Sequence, residues 1–219
     1  MINNTQGFII VHPDRLISCT AVAESTFCLR KSVLQQKIKA IGDYSEALVH
    51  GNMIHRIIQN ALSTQDFSMK GLEQEAQRIV YSSLDELYAI DQQEETALQI
   101  IHQQLPVIKA FGDTYVGQHP KPNALVATDM GVDVGKVIGC RNVAFSKTLD
   151  VEEHLWSPTF GLKGMIDVSV EMKMRPNSKV LTVPLELKTG KSTRFISHRA
   201  QTTLYILLMS DRYGKSAFI

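Results

Sequence analysis

Cysteine is scarce in this chain of 219 residues, which contains only Cys19, Cys28 and Cys140. An odd number of cysteines without paired spacing argues against a disulfide scaffold and favours a reducing compartment. No apolar run approaches the ~20 residues of a membrane-spanning helix. The first residues lack the basic start and apolar core of a secretory signal. We therefore expect neither a membrane span nor a secretory leader.

An excess of charge of one sign is also absent. The chain has 23 Lys and Arg residues against 22 Asp and Glu residues, so the formal net charge is +1. Any surface that binds nucleic acid must therefore be a local patch. Hydrophobic residues make up 44% of the chain, which is ordinary for a globular protein, and the length suits one well-packed domain or two small ones.

The segment 161–191 holds the clearest pattern in the chain. Residues 162–172 alternate between apolar and polar side chains, as a strand with one buried face does. Turn-forming residues follow at 175–178, and a second run over 181–187 again places apolar side chains on one face. The segment therefore predicts two strands joined by a turn.

Three charged side chains occupy the polar faces of these two strands. Asp167 belongs to the first strand, and Glu186 and Lys188 share a face of the second. If the strands are neighbours, the three side chains converge. Two carboxylates and an ammonium at one strand end suit a divalent metal ion and the phosphate that it activates. Taken alone, the same pattern is more typical of an ordinary hairpin with exposed charges.

Helical periodicity dominates the first half of the chain. Ser45 is predicted to cap a helix over 46–62, and Thr20 to cap an earlier helix. His55 lies within the 46–62 helix among apolar residues. A single histidine in that setting is more often a core residue than a ligand.

The remaining elements complete the predicted outline of the chain, and the two apolar stripes among them carry no chemistry of their own. Apolar stripes over 72–88 and 98–115 predict two core helices, the second of which bends at Pro106. Ser197 is predicted to cap a final helix over 198–210. The segment 7–16 is expected to form a short strand, FIIVH, and a turn at 13–14, and further short strands are expected at 137–138 and 142–146.

Several short strings in the chain resemble a known nuclease family. The strings GLKGMIDV, LELKTGK and HRAQTTLY follow one another in the order of the RecB-like branch of the PD-(D/E)xK nuclease superfamily. The longer string DVEEHLWSPTFGLKGMIDVSV resembles the nuclease domain of the eukaryotic nuclease–helicases that trim Okazaki-fragment flaps and resect broken DNA ends. The resemblance implies an α/β fold of restriction-endonuclease-like, RecB type, with a mixed central sheet flanked by helices. It covers a single domain over 1–219 and leaves out the helicase motor.

The resemblance also assigns a catalytic site. It makes Asp167 and Glu186 the carboxylate ligands of Mg²⁺ or Mn²⁺, with His55 as a third ligand and Lys188 as the catalytic ammonium. The family places a further acid near the metal, and Glu153 matches that position best. The alternative for Glu153 is membership of an exposed acidic pair.

The same resemblance indicates residues that contact DNA. Gln201 and Tyr205 match the Q-x-x-x-Y motif, whose side chains help to hold DNA beside the catalytic strands. The alternative is a polar pair on an amphipathic helix. A helix N-terminus and exposed basic side chains favour phosphate contact. Four basic residues are predicted to contribute in this way: Arg30, Lys31, His198 and Arg199.

Cys28, followed by basic residues, resembles the first of four thiolate ligands to a [4Fe–4S] cluster. Considered by itself, Cys28 is better explained as a small buried apolar residue. No cysteine follows Cys140, and such a cluster takes four thiolates. We therefore expect this chain to lack the cluster and to be a C-terminally truncated piece of a longer nuclease–helicase.

The residue pattern predicts a metal-dependent phosphodiesterase site, and the resemblance implies an endonuclease whose substrates are single-stranded DNA and flap structures. The resemblance places it in Okazaki-fragment maturation and double-strand-break end resection, in the nucleus and also in the mitochondrion. It implies a single-stranded-DNA-binding protein as partner and no membrane. The alternatives are a catalytically idle module that binds single-stranded DNA with the same fold, and a purely structural domain.

Overall fold

A computed structural model of the protein describes residues 14–38, 44–127, 140–175, 180–189 and 196–214. Within these ranges the chain forms helices on both sides of one sheet. None of the helices in this part of the chain is long and apolar enough to cross a membrane. The elements in chain order are β1 (Ile17–Ser18), α1 (Cys19–Lys37), α2 (Glu46–Thr64), α3 (Met69–Ser82), α4 (Leu84–Ala89), α5 (Glu94–His102), α6 (Leu105–Tyr115), β2 (Leu125–Ala127), β3 (Cys140–Ser157), β4 (Leu162–Met174), β5 (Val180–Leu185) and α7 (Ile196–Tyr213).

The sheet has five strands and mixed direction. Its order is β1-β4-β3-β2, and β5 also pairs with β4. The β1–β4 pair is parallel, whereas the β2–β3, β3–β4 and β4–β5 pairs are antiparallel. The predicted α/β class with a mixed central sheet flanked by helices is confirmed.

Strand β4 is the centre of the sheet and shows the predicted alternation. Ile166 and Val168 are fully buried, while Lys163 and Met165 are exposed. Ser169 breaks the pattern, because it lies on the predicted polar face but has no exposed surface. Its hydroxyl donates a hydrogen bond to a buried carboxylate of β3, which removes the cost of burying a polar group.

Strand β5 ends earlier than the 181–187 run predicts. Its pairing with β4 stops at Leu185 opposite Val168. One residue before Val168 in β4, the Asp167 carboxylate accepts a hydrogen bond from the Leu187 amide. Since β5 ends at Leu185, Glu186 and Lys188 lie just beyond the end of the strand.

Helix α2 begins where the sequence predicts. The Ser45 hydroxyl accepts a hydrogen bond from the Leu48 amide at 3.3 Å, so Ser45 is the N-cap. Met53 and Ile57 of α2 are fully buried and belong to a core cluster that includes Val168 of β4. This larger core joins α2, α3, α5 and α6 to one part of the sheet.

A second, smaller core lies under α7. It contains Tyr205, Leu208 and Met209 of α7, packed with Leu155 of β3 and Ile166 of β4. Burial of such side chains contributes roughly 1.5–3 kcal/mol each. The two cores meet at β4, where Ile166 belongs to the smaller core and Val168 to the larger one.

Two predicted helix caps are wrong. The cap of α1 is Ser18, whose hydroxyl accepts from the Ala21 amide at 3.2 Å, and Thr20 already lies in the first turn. The reason is that β1 ends at Ser18 and the chain turns directly into the helix. Ser197 also lies inside a helix, because α7 begins at Ile196.

The predicted helix over 72–88 is two helices. The break falls at Ser83, between α3 and α4, where Arg56 of α2 donates hydrogen bonds to the hydroxyls of Ser82 and Ser83. Tyr88 is 89% exposed, so its assignment to the core is wrong. The predicted bend at Pro106 is a complete break between α5 and α6, with Pro106 in the first turn of α6.

The predicted strand over 142–146 forms part of β3. Three further predictions lie outside the described residues. They concern the strand at 137–138, most of the strand at 7–16 and most of the turn at 175–178.

Candidate functional site

One edge of β4 pairs with two different strands, β1 at its beginning and β5 at its end. β1 pairs with this edge at Leu162 and Lys163, and β5 pairs with it from Val168 onward. Between these two pairings the edge opens into a cavity of about 730 Å³. A crevice at such a point in an α/β sheet is a common place for a ligand. The described residues that line it are Leu16, Ser18, Thr20, His154, Leu155, Trp156, Lys163, Gly164, Met165, Asp167, Glu186, Lys188, Gln201 and Tyr205.

Asp167 of β4 lies at the inner end of this cavity. Its Oδ2 atom accepts a hydrogen bond from the Leu187 amide at 2.7 Å, which joins β4 to the segment after β5. Gln59 of α2 donates to the Asp167 backbone carbonyl at 3.3 Å. The predicted convergence of Asp167 with the Glu-x-Lys segment is therefore present in the structure.

His55 of α2 faces the same carboxylate. Its Nδ1 atom lies 3.8 Å from Asp167 Oδ2, and its side chain is 25% exposed. Burial lowers the pKa of the His55 imidazole, and the Asp167 charge opposes that shift only in part. A neutral imidazole carries a nitrogen lone pair and is the form that binds metal ions. His55 is thus beside the site and not sealed within the apolar core.

Glu186 is the most enclosed acid of the site. Its Oε1 atom accepts hydrogen bonds from Lys188 Nζ and from Gln201 Nε2, the latter at 2.8 Å. Its Oε2 atom is buried and has no hydrogen-bond partner among the described residues. Burial raises the pKa of the Glu186 carboxyl, and the Lys188 hydrogen bond lowers it again. A buried carboxylate oxygen without a partner is costly unless a proton or a cation meets it.

The donor atoms present fit a hard divalent cation. Asp167 and Glu186 offer carboxylate oxygens, and His55 offers an imidazole nitrogen. Oxygen donors suit Mg²⁺, and the added nitrogen suits Mn²⁺. Over the described ranges no three His, Cys, Asp or Glu side chains are already gathered closely enough to hold an ion. One oxygen of each acid, Asp167 Oδ2 and Glu186 Oε1, accepts hydrogen bonds from donors of the protein.

Gln201 and Tyr205 stand behind Glu186 on α7. Gln201 Nε2 donates to Glu186 Oε1 and to the Tyr205 hydroxyl, each at 2.8 Å. Gln201 is 7% exposed and Tyr205 is 2% exposed. A Cβ atom on Gly164 would lie 2.7 Å from the Tyr205 ring, so glycine permits this close packing. The geometry shows both residues supporting the acid, while their contact with DNA stays a prediction.

Glu153 lies away from the acids of the cavity. Its Oε1 atom accepts a hydrogen bond from the Tyr213 hydroxyl at 2.5 Å, and its Oε2 atom accepts one from Ser169. Glu153 is 6% exposed, so the alternative of an exposed acid is wrong. The pair of bonds ties β3 to β4 and to the end of α7. A role for Glu153 at a metal ion stays a prediction.

Glu152 is the acid that the sequence analysis missed. The neighbouring pairs Val151–Val168 and Glu153–Ile166 place it level with Asp167 across the β3–β4 ladder. Its φ angle is 52°, a left-handed value that costs a non-glycine residue energy. Its negative charge raises the pKa of His55. The alternating pattern of the sequence contains no signal for this backbone turn.

The four predicted basic contacts are not among the residues that line the cavity. Arg30 and Lys31 are exposed in the second half of α1. His198 and Arg199 lie in the first turn of α7, with His198 half-buried and Arg199 exposed. Their contact with DNA stays a prediction.

Cys28 interrupts α1. Its φ of −156° and ψ of 103° are not helical, so the helix kinks there, and the side chain is half-buried. Cys19 is fully buried beneath α7, and burial raises the pKa of its thiol to about 11. The side chain of Cys140 lies outside the described part of the chain. The predicted cluster ligand role of Cys28 has no test in this geometry.

Comparison with known proteins identifies the family. The family model described as DNA replication factor Dna2 matches residues 1–172. The DNA replication ATP-dependent helicase/nuclease dna2 of Schizosaccharomyces pombe is 35% identical over 217 residues, which are 98% of this chain and 14% of that protein. The proteins of the same description from Xenopus laevis and Homo sapiens are 35% and 30% identical, over 96% and 97% of this chain and 20% of each relative. The chain thus spans no more than about a fifth of these relatives, and it belongs to the Dna2 family of DNA replication factors.

Proposed function

We propose that this chain is a divalent-metal-dependent nuclease domain that hydrolyses phosphodiester bonds in single-stranded DNA and flap structures. The observation that carries the proposal is the meeting of Asp167, Glu186 and Lys188 in one cavity. The unpartnered Glu186 Oε2 atom supports it, because a cation would satisfy that atom. The word nuclease in the names of the relatives supports the same class of reaction.

The fold type that we infer is PD-(D/E)xK, of RecB type. Its acid would be Asp167 on β4, and its E-x-K would be Glu186 and Lys188 beyond the end of β5. The Leu187 amide that donates to Asp167 keeps the two segments together. This arrangement supports a nuclease site more specifically than the α/β class does.

Each residue has a defined task in the proposed reaction. Asp167, Glu186 and His55 would hold a Mg²⁺ or Mn²⁺ ion, which supplies an activated water and neutralises charge on the phosphate. Lys188 is half exposed beside Glu186, so its ammonium would orient the water or stabilise charge that develops on the phosphorus oxygens. Gln201 holds the Glu186 carboxylate in place through Oε1.

The test is cleavage of end-labelled single-stranded and flap DNA with and without Mg²⁺ or Mn²⁺. Asp167→Ala and Glu186→Ala should abolish cleavage, while single-strand binding and the fold are kept. Lys188→Ala should lose turnover with metal binding largely intact. Glu95→Ala, an exposed acid in the first turn of α5, is the matched control and should cleave normally. Substantial cleavage by purified Asp167→Ala would rule out this assignment.

A catalytically idle module that binds single-stranded DNA is the second candidate. It is favoured by the ion pair of Lys188 with Glu186, which occupies one oxygen of the predicted ligand. The same assay separates the two functions. An idle module would bind the labelled strand tightly and leave it uncut at every metal concentration.

The wider setting is proposed on the resemblance and on the names of the relatives. It comprises Okazaki-fragment maturation, end resection of double-strand breaks, a single-stranded-DNA-binding protein as partner and a nuclear or mitochondrial location. A thiolate contribution of Cys28 to a [4Fe–4S] cluster rests on the same resemblance. Because the chain has three cysteines and such a cluster takes four thiolates, iron analysis of the purified 219-residue chain should find no stoichiometric iron.

A further inference from the structure

The β3–β4 hairpin presents a row of exposed side chains that leads to Asp167. Trp156 pairs with Lys163, and His154 pairs with Met165. Lys163, Met165 and Asp167 alternate along β4, so they share one face of the strand. All five residues line the cavity that also holds Glu186. At ~3.3 Å per residue, Lys163 lies roughly 13 Å along the strand from Asp167.

The outer end of this row is apolar and aromatic although it faces water. Trp156 is 67% exposed and Met165 is 44% exposed. Tryptophan is a large apolar side chain that folding usually covers, at least in part. Neither residue contributes to the two buried cores. Exposed apolar surface that is continuous with a polar site marks a place where a ligand binds.

The charges beside Trp156 favour an anionic ligand with flat apolar groups. Lys163 stands opposite Trp156 on the neighbouring strand, and Lys188 lines the same cavity. An aromatic face next to ammonium groups is how proteins hold unpaired nucleic acid strands, because bases stack on the ring while phosphates meet the cations. A duplex offers no free base face to such a ring.

We propose that Trp156, supported by Met165 and Lys163, is a base-stacking platform that holds an unpaired strand and directs its backbone to Asp167 and Glu186. The inference rests on the proposed nuclease function and names the chemistry by which that site selects single strands. Trp156 is a positioning residue in this scheme, since it lies at the outer end of the row and not beside the reacting atoms.

The chain supplies its own probe, because Trp156 is its single tryptophan. Intrinsic fluorescence of the 219-residue chain is titrated with oligothymidylate in EDTA, so that no cleavage occurs. Stacking should quench the emission saturably. An abasic oligonucleotide of equal length has the same phosphates and no bases, and it should leave the emission almost unchanged. Equal quenching by both oligonucleotides, or no quenching at all, would overturn the proposal.

Substitutions at position 156 provide the second measurement. Trp156→Ala should weaken single-strand binding by about 5- to 150-fold, the range expected for one lost stack. Trp156→Phe keeps an aromatic face and should restore most of the affinity. Tyr88→Ala removes an aromatic side chain that is 89% exposed on α4, far from the row in sequence. It is the matched control and should bind normally. Unchanged affinity in Trp156→Ala would exclude the platform.

Cleavage kinetics separate this inference from the proposed function. With metal present, Trp156→Ala should raise KM for single strands and leave kcat nearly unchanged. If wild-type chain cleaves normally but Trp156 neither quenches nor affects KM, the platform is wrong and the nuclease function stands. If the wild-type chain never cleaves but Trp156 stacks on bases, the platform stands and the nuclease function is wrong. Association of chains that Trp156→Ala abolishes, without quenching by DNA, would assign this surface to protein contact instead.

Discussion

Gln201 is one of two side chains that donate hydrogen bonds to the candidate acid Glu186; the other is Lys188, whose bond lowers the pKa of Glu186 more. The Gln201 amide donates to Glu186 Oε1, and the buried Glu186 carboxyl has a raised pKa that this bond partly lowers. A hydrogen bond to the charged form stabilises that form. The position of one amide on α7 therefore helps to determine the pH at which Glu186 is ionised and able to hold a metal ion.

Gln201→Ala should move the acidic limb of the pH–activity profile to higher pH. Removal of the bond raises the pKa of Glu186 further, so the carboxylate form appears only at a higher pH. The profile of cleavage against pH measures the shift. Thr203→Ala, an exposed α7 residue that bonds only backbone, is the control. A lower activity with an unmoved profile would contradict the link between Gln201 and Glu186.

Glu152 and Glu153 offer a matched pair of neighbours with different surroundings. Glu152 raises the pKa of His55 by its charge, whereas both oxygens of Glu153 are bonded to Ser169 and Tyr213. In metal-free protein, Glu152→Gln should therefore lower the pKa of His55, as measured by NMR titration of the ring. Glu153→Gln should leave that pKa unchanged. The reverse result would exchange the assignments of the two acids.

At the scale of elements, the end of α7 is attached to the sheet through a buried polar contact. The Tyr213 hydroxyl donates to Glu153, and Ser169 donates to the other oxygen of the same carboxylate. Burial and the nearby carboxylate raise the pKa of Tyr213 to about 12. Because α7 also carries Gln201 and Tyr205, this contact stabilises the helix that supports the candidate site.

The contact predicts a specific loss of stability at alkaline pH. An unfolded tyrosine has a pKa near ~10, below the folded value of about 12. The folded state therefore binds the proton more tightly, so its stabilising contribution is complete below about pH 10 and is lost as pH rises toward 12. Chemical denaturation of wild type across this range should show the loss. Tyr213→Phe, which cannot ionise, should be less stable at neutral pH and lack that part of the pH dependence.

At the scale of the whole molecule, the candidate site joins parts of the chain that are distant in sequence. α2 contributes His55, β4 contributes Asp167, the segment after β5 contributes Glu186, and α7 contributes Gln201. A ligand held by all of these elements binds only the folded chain. Such a ligand stabilises the fold by an amount that grows with its concentration.

Mn²⁺ should therefore raise the Tm of the 219-residue chain. At a concentration 100 times Kd the expected stabilisation is about 2.7 kcal/mol. Asp167→Ala, Glu186→Ala and His55→Ala should reduce this rise, measured by differential scanning calorimetry with and without the ion. Glu95→Ala should keep it in full. If His55→Ala instead lowers stability by several kcal/mol and leaves the Mn²⁺ effect intact, His55 is a core residue and not a ligand.

The sequence alone determined the strand pattern of β4, the N-cap and buried face of α2, and the meeting of Asp167 with the segment 186–188. These features follow from local rules, because alternation places apolar side chains such as Ile166 in the core and leaves Asp167 on the other face. The family strings added the positions of His55 and Gln201. The failure at Thr20 shows the limit of such rules, since the end of β1, and not the residue type alone, determined the cap of α1.

Only the tertiary structure decided how the acids differ. Glu152 and Glu153 are adjacent in sequence, yet the left-handed backbone at Glu152 and the packing of α7 place one near His55 and bury the other against Tyr213. Glu186 likewise obtains its hydrogen bond from α7. The physical reason is that burial and pKa depend on which distant elements pack around a side chain, and a linear pattern does not contain that information.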